Sequence, residues 1–302
     1  MRRLGTSIVD FVERFPDPDA CLAHVFEIRW GDHTPCPVCG SYGKWFRIKG
    51  RNAYQHQCRN HIQVLKDTAF YRSNIPLTAW FYAILLFANS NRGIRSSFIR
   101  KQLGLGLKSS HRLCHRIRLH TAFYDRPERL GGPEKLVYID EALIPYVNTN
   151  RAGSTPSTIV MGLCCEGQVI SGIIPNRRKI TLEPLINRFV MPGSILVTDC
   201  HRSYAGLKNL GWRHIAINHS VAFHNFDGVA SAPIETYWAV VKRIMRSYRQ
   251  ASPEHFWEYL ALIEFSYNRR HSKISPFEDL IGSFPELTAK TISLVRKRYE
   301  WN

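Results

Sequence analysis

Three acids and one lysine carry the chemistry this sequence could perform. Asp140 closes a strand-like run, LVYID, and Asp199 closes another, ILVTD. Glu235 stands in the first turn of an amphipathic helical stretch, PIETYWAVVKRIMR. Fifty-eight residues lie between Asp140 and Asp199, and thirty-five between Asp199 and Glu235. Lys242 follows Glu235 by seven residues, close to two helical turns, so both share a face. That spacing is not the i,i+4 spacing of an ordinary helix-surface ion pair. Three carboxylates on separate elements can hold two hard cations roughly 3.5–4 Å apart, the arrangement that cleaves phosphodiesters. Mg²⁺ (or Mn²⁺) suits such oxygen ligands and usually takes only a few carboxylates. Each acid alone has a structural reading, since acids at helix starts favour the helix dipole. Their joint spacing with Lys242 favours two metal ions. Glu141 is excluded, because neighbours on a strand face opposite ways.

A second donor set is soft. Cys36-Pro-Val-Cys39 is followed after 18 residues by Cys58-Arg-Asn-His61. Two such pairs predict a tetrahedral Cys₃His site for one structural Zn²⁺, with His56 a rival fourth ligand. The intervening WFRIKGRNAYQHQC reads as a hairpin with Gly50 at its turn. A ribbon this small lacks its own core, so metal supplies its folding energy.

Charge points to a polyanionic partner. The net charge is +17. Residues 1–130 hold 21 Lys+Arg against 9 Asp+Glu, and residues 131–302 hold 20 against 15. The N-terminal part is therefore the stronger candidate for holding nucleic acid. There, residues 93–118 read as two short helices about a Gly104–Gly106 turn, the pattern of a helix-turn-helix. Lys108, Ser109, His111, Arg112 and Arg116 are the candidates for contact with double-stranded DNA. On the helix carrying Glu235, Arg243 and Arg246 join Lys242 in a basic side, and Asn268-Arg269-Arg270 is a candidate extension of it. No secretory signal is visible, and the longest apolar run, residues 79–88, is too short to span a bilayer. The expectation is a cytoplasmic protein with reduced cysteines and no membrane partner.

The elements that must position these groups follow in order. Short helices come first, with Asp17 and Asp19 at a helix start rather than on a metal. The ribbon comes next, then an apolar helix over residues 77–89 and the paired helices. PERLGGP, residues 127–133, is a linker. Beyond it strands and helices alternate: strand 135–139, a hairpin about Glu166-Gly167, helix 182–190, strand 195–197, short helix 204–210, strand 212–217, and helices 233–249 and 253–267. The expectation is a mixed α/β chain with domains at residues 1–72, 73–130 and 131–302. His201, His219 and His224 are candidates for phosphate contact near the acids, although each also has a structural reading.

Asp140, Asp199, Glu235 and the E-x6-K pattern, with VTDCHRSYAGL, HIAINHS, PIETYWAVVKR and FSYNRR, resemble the DDE transposases of prokaryotic insertion sequences. The similar branch has an N-terminal zinc ribbon and a helix-turn-helix. The resemblance covers nearly the whole chain. It implies an RNase H-like catalytic domain, two Mg²⁺ (or Mn²⁺), and DNA strand cleavage followed by strand transfer without a covalent protein intermediate. It also implies terminal inverted repeats and target DNA as partners, a homodimer or higher oligomer, and a nucleoid-associated location in a prokaryote. The branch usually carries His-Thr-Asn just before its Ile-Glu pair. Here those positions read Ala230, Ser231 and Ala232, which leaves Glu235 as the third ligand. A catalytically inert DNA-binding regulator derived from such an enzyme is the second reading.

Overall fold

The computed structural model describes residues 6–31, 33–90, 92–145, 157–217, 232–248 and 251–301. They fall into two units, one made of residues 1–90, 94–124 and 272–292, the other of 91–93, 125–271 and 293–302. The first begins with α1 (Ile8–Arg14), α2 (Pro18–Arg29), β1 (Trp45–Arg47), β2 (Ala53–His56), β3 (His61–Gln63), α3 (Leu77–Asn89), α4 (Ser96–Leu103) and α5 (Leu107–Thr121). The second holds β4 (Leu130–Gly131), β5 (Leu136–Pro145), β6 (Ser157–Cys165), β7 (Gln168–Ile174), α6 (Lys179–Phe189), β8 (Val190–Met191), β9 (Ile195–Asp199), β10 (Arg213–Ile217), α7 (Ala232–Ser247) and α8 (Phe256–Asn268). The chain then returns to the first unit in α9 (Pro276–Ile281) and crosses to the second within α10 (Ala289–Arg296).

In the first unit, Asp17 starts α2, as its side chain accepts from the Ala20 amide at 2.8 Å, ahead of Pro18 at the first helical position. Asp19 pairs with Arg47 at 2.7 Å. β1, β2 and β3 form an antiparallel ribbon, with Gly50 in the left-handed region (φ 75°) between β1 and β2. The core is aromatic: Phe15 meets Phe81 edge-on at 4.8 Å, Phe11 meets Phe277 at 6.0 Å, and Phe70 meets Phe284 at 5.6 Å. Each such pair adds about 0.5–1.5 kcal/mol beyond its buried area.

The expected boundaries fall at residues 72 and 130, whereas the two units share the chain differently. Residues 272–292 leave the C-terminal domain because Phe277 and Phe284 complete the N-terminal aromatic core. His24 and His120 fix the same segment, bonding to the carbonyls of Ile281 at 2.9 Å and Leu280 at 2.7 Å. The ribbon and the paired helices also form one unit rather than dividing at residue 72.

The second unit is built on a five-stranded sheet in the order β10-β9-β5-β6-β7. β5, β6 and β7 run antiparallel in sequence, while β9 lies parallel to β5 and β10 parallel to β9. This is the RNase H-like order. The β6–β7 turn is Glu166-Gly167, with φ 47° and 80°, the left-handed pair a two-residue hairpin requires. Val137, Ile139, Leu163, Leu182, Ile186 and Leu196 are buried in one cluster. Burying each side chain contributes roughly 1.5–3 kcal/mol. The helix expected over 204–210 is instead two short 3₁₀ turns, Arg202–Tyr204 and Leu207–Leu210, because Gly206 and Gly211 bracket the second. Among the described residues, no helix is long and apolar enough to cross a membrane.

Candidate functional site

Strand register brings the first two acids together. Tyr138 on β5 pairs with Val197 on β9 in parallel. Asp140 and Asp199 each lie two residues further on, so they sit at the same height on adjacent strands and face the same way. Glu235, exposed in the first turn of α7, borders the same cleft, of about 210 Å³, with both aspartates. At roughly 30 Å³ per water that is room for several waters or small hydrated cations. The three acids are not drawn into a single-ion cage, for their oxygens do not all lie within 4.8 Å of one another. An open cleft lined by hard oxygen donors from three elements fits Mg²⁺ or Mn²⁺, which keep part of their water shell.

Asp140 is held firmly. Trp238 donates its indole N–H to Oδ2 at 2.9 Å, and the Glu141 amide donates to Oδ1 at 2.8 Å. Burial pushes its pKa above the ordinary aspartate value, and the negative charge of Asp199 adds to the rise. Asp199 accepts from the His201 amide at 2.9 Å. The imidazole of His201 accepts from the Ser203 amide at 3.4 Å, capping the 3₁₀ turn. Glu141 faces the other way, as strand alternation dictates. It accepts from the buried Tyr204 hydroxyl and lies 4.0 Å from Arg177. Burial raises its pKa to about 7. His219, His224, Ala230 and Ser231 lie outside the described residues.

α7 is pinned by two consecutive aromatics. Trp238 lies over Gly162, the β6 residue paired with Asp140. A Cβ at Gly162 would sit 2.9 Å from the indole, so glycine permits the approach that lets Trp238 reach Asp140. Tyr237, its ring centroid 5.1 Å from that of Trp238, brings its hydroxyl to Ser171 Oγ at 2.8 Å. Ser171 donates through its amide and hydroxyl to Glu264 of α8 at 2.7 and 2.8 Å, and Arg126 donates to Glu264 at 2.9 Å. All four side chains are buried. Sequence reading placed Trp238 in the core but missed its bond to Asp140, and it missed the Arg126–Glu264–Ser171–Tyr237 network. The one available signal was that a buried indole N–H needs an acceptor.

Glu235, Lys242, Arg243 and Arg246 are all exposed on α7, consistent with a shared solvent face. The expected extension of this basic side at 268–270 is corrected. Asn268 is buried and pairs with both backbone groups of Val169 at 2.7 and 2.9 Å. Arg270 donates to the carbonyls of Gly167 and Tyr267 and lies over the Tyr267 ring at 3.6 Å. Arg269 donates to the Asp125 carbonyl. Asn268 and Arg270 thus brace the hairpin.

In the first unit the soft donors gather, with one change of ligand. Cys36, Cys39, His56 and Cys58 converge. Cys36 Sγ is 3.8 Å from Cys58 Sγ, and Cys39 Sγ is 3.6 Å from His56 Nδ1. Tetrahedral zinc with Zn–S ~2.3 Å and Zn–N ~2.0–2.1 Å implies edges of about 3.8 Å between sulfurs and about 3.5 Å between sulfur and nitrogen. His56 Nδ1 stands 3.0 Å from Cys58 Sγ, inside that edge, so the cluster fits zinc with a small outward shift of this pair. His61, the expected fourth ligand, is exposed at the start of β3 and lies 3.3 Å from the Gln55 amide. Alternation explains the exchange: His56 is buried at the end of β2, and the chain turns over Cys58 before His61. His56 beside it, then the Asn60 backbone amide, hold the Cys58 thiol below its ordinary value, to about 6.

The paired helices are α4 and α5, joined through left-handed Gly104. Lys108, Ser109, His111 and Arg112 are exposed on the N-terminal half of α5. His111 lies 3.3 Å from Ser96 Oγ, and Arg112 reaches the Arg72 carbonyl at 3.5 Å. Arg116 is half-buried and has partners within the protein. Its guanidinium donates to the carbonyls of Thr68, Ala69 and Tyr71, each at 3.2 Å, so it clamps a loop.

Fold and donor clusters together define a mixed α/β domain preceded by a ribbon whose soft donors fit a structural zinc. Residues 135–268 match the ISXO2-like transposase domain, and residues 16–60 match the transposase zinc-ribbon domain. A transposase-like protein of Haemophilus influenzae is 33% identical over 120 residues, covering 38% of this chain and 94% of that protein. The chain belongs to the ISXO2-like transposase family, whose kind is DNA-cleaving and DNA-joining.

Proposed function

We propose that the protein is an insertion-sequence transposase that binds the ends of its element, cuts there, and joins the freed end to target DNA. The observation carrying this reading is the register of β5 and β9, which sets Asp140 and Asp199 level on one face beside Glu235. Two Mg²⁺ (or Mn²⁺) held by Asp140, Asp199 and Glu235 would activate water for cleavage and then the 3′-hydroxyl for transfer. Trp238 fixes the Asp140 carboxylate, and the Tyr237 anchor fixes the azimuth of α7 and so of Glu235. Lys242, Arg243 and Arg246 hold DNA phosphates beside the cleft. Zinc on Cys36, Cys39, His56 and Cys58 folds the ribbon. Lys108, Ser109, His111 and Arg112 on α5 engage the duplex of the terminal inverted repeats, with two or more copies acting in the cytoplasm.

The inert-regulator reading rests on Ala230, Ser231 and Ala232 standing where the similar branch has His-Thr-Asn. Purified protein incubated with DNA bearing the element's ends decides between them. The transposase reading expects nicked ends and joined products in Mg²⁺ or Mn²⁺. Binding with neither product supports the regulator.

A further inference from the structure

His61 stands outside the cluster of soft donors, and its surroundings form a groove lined by neither the acids nor α5. This groove, of about 480 Å³, runs along β3 and the turns that follow it to Asn74. Its volume falls in the roughly 300–1,000 Å³ range of ligand clefts.

The lining has three chemistries. Arg51, Lys66 and Arg72 stand exposed around it. None of the three is in an ion pair among the described residues, and no acid lines the groove. Leu65 and Phe70 give it a buried apolar component, with Tyr71 beside them and the Arg72 guanidinium 5.2 Å from the Tyr71 ring. Asn52, Gln63 and Asn74 add amides able to donate and accept.

The wall is built, not incidental. Asp67 and Arg72 both adopt left-handed φ, 59° and 54°, backbone strain that persists only where surroundings enforce it. Arg116 enforces it through its three bonds to the carbonyls of Thr68, Ala69 and Tyr71.

We infer that this groove binds unpaired DNA, one or two nucleotides with their flanking phosphates. A duplex presents a convex, charged backbone with its bases stacked away, so apolar and amide groups in a concavity would meet only phosphate. Unpaired nucleotides match all three chemistries: phosphates to the cations, base faces to Tyr71 and the apolar groups, base edges to the amides. The inference rests on the DNA-binding part of the proposed function and not on catalysis.

The test uses the full-length zinc-loaded protein and two fluorescein-labelled probes, dT12 and a 12-base-pair duplex, followed by anisotropy at low salt. Arg51→Ala/Arg72→Ala should weaken dT12 binding at least tenfold and duplex binding less than threefold, while Lys108→Ala on α5 should do the reverse. Lys66→Gln, which leaves the strained Arg72 in place, should weaken dT12 several-fold with zinc content unchanged. A dT12 carrying 5-iodouracil should cross-link within residues 63–74. Equal losses on both probes, unaltered dT12 binding, or a cross-link elsewhere would overturn the inference. Wild type that binds duplex but not dT12 overturns it alone, whereas wild type that binds neither overturns the DNA-binding reading as well.

Discussion

The two donor sets of this chain relate to their surroundings in opposite ways. The acid cleft is held by the protein. Two of its carboxylates ride on a five-stranded sheet, and the third on a helix pinned by Trp238 and by the buried Tyr237 network. The ribbon cluster stands on three strands of three or four residues each, too little to fold unaided, so there the metal holds the protein. The hard-oxygen site should lose its ions without losing its fold, and the soft site should not.

The largest expected effect breaks the second half of that contrast. Structural zinc contributes an apparent ~10–16 kcal/mol to folding in small zinc modules. Cys36→Ser, or a strong chelator, should abolish zinc binding and unfold the ribbon, seen by metal analysis and loss of amide-exchange protection over residues 36–63. Removing Mg²⁺ should leave protection of the five-stranded sheet unchanged. The same assay sharpens the ligand choice, since His56→Ala should lose zinc and His61→Ala should keep it.

A middle-sized effect tests what holds the acid cleft. Arg126→Met leaves Glu264 buried without its cation, a loss of about 3–5 kcal/mol when one partner of a buried pair is removed. Denaturant melting of the second unit should show it, while zinc content stays the same. Equal stability in the variant would mean that the network does not support the sheet.

The smallest effect is local. Trp238→Phe keeps the ring over Gly162 but removes the donor to Asp140, about 1.5–3 kcal/mol for a hydrogen bond to a charged group. Cleavage should then require more Mg²⁺ for half-maximal rate. An unchanged Mg²⁺ requirement would show that Asp140 needs no such support.

Much of this was legible in sequence because periodicity is local. Strand alternation set Asp140 apart from Glu141, helical spacing put Glu235 and Lys242 on one face, and the glycine turn marked α4 and α5. What failed was non-local. His61 fits the metal spacing as well as His56 does, and only the path of the chain over Cys58 excludes it. Arg116 reads as one more cation on a basic helix until its three carbonyl partners, 45 to 48 residues away, are in view. The return of residues 272–292 to the N-terminal unit depends on rings that no local pattern pairs.

The central claim is that Asp140, Asp199 and Glu235 form the catalytic metal site, and Asp199→Asn tests it most directly. The substitution keeps shape and removes one charge, so melting, zinc content and binding to end-bearing DNA should match wild type. Cleavage and joining of that DNA should vanish in both Mg²⁺ and Mn²⁺, because the cations lose a ligand they need. An Asp199→Asn protein that still cuts and joins at the wild-type rate would contradict the account.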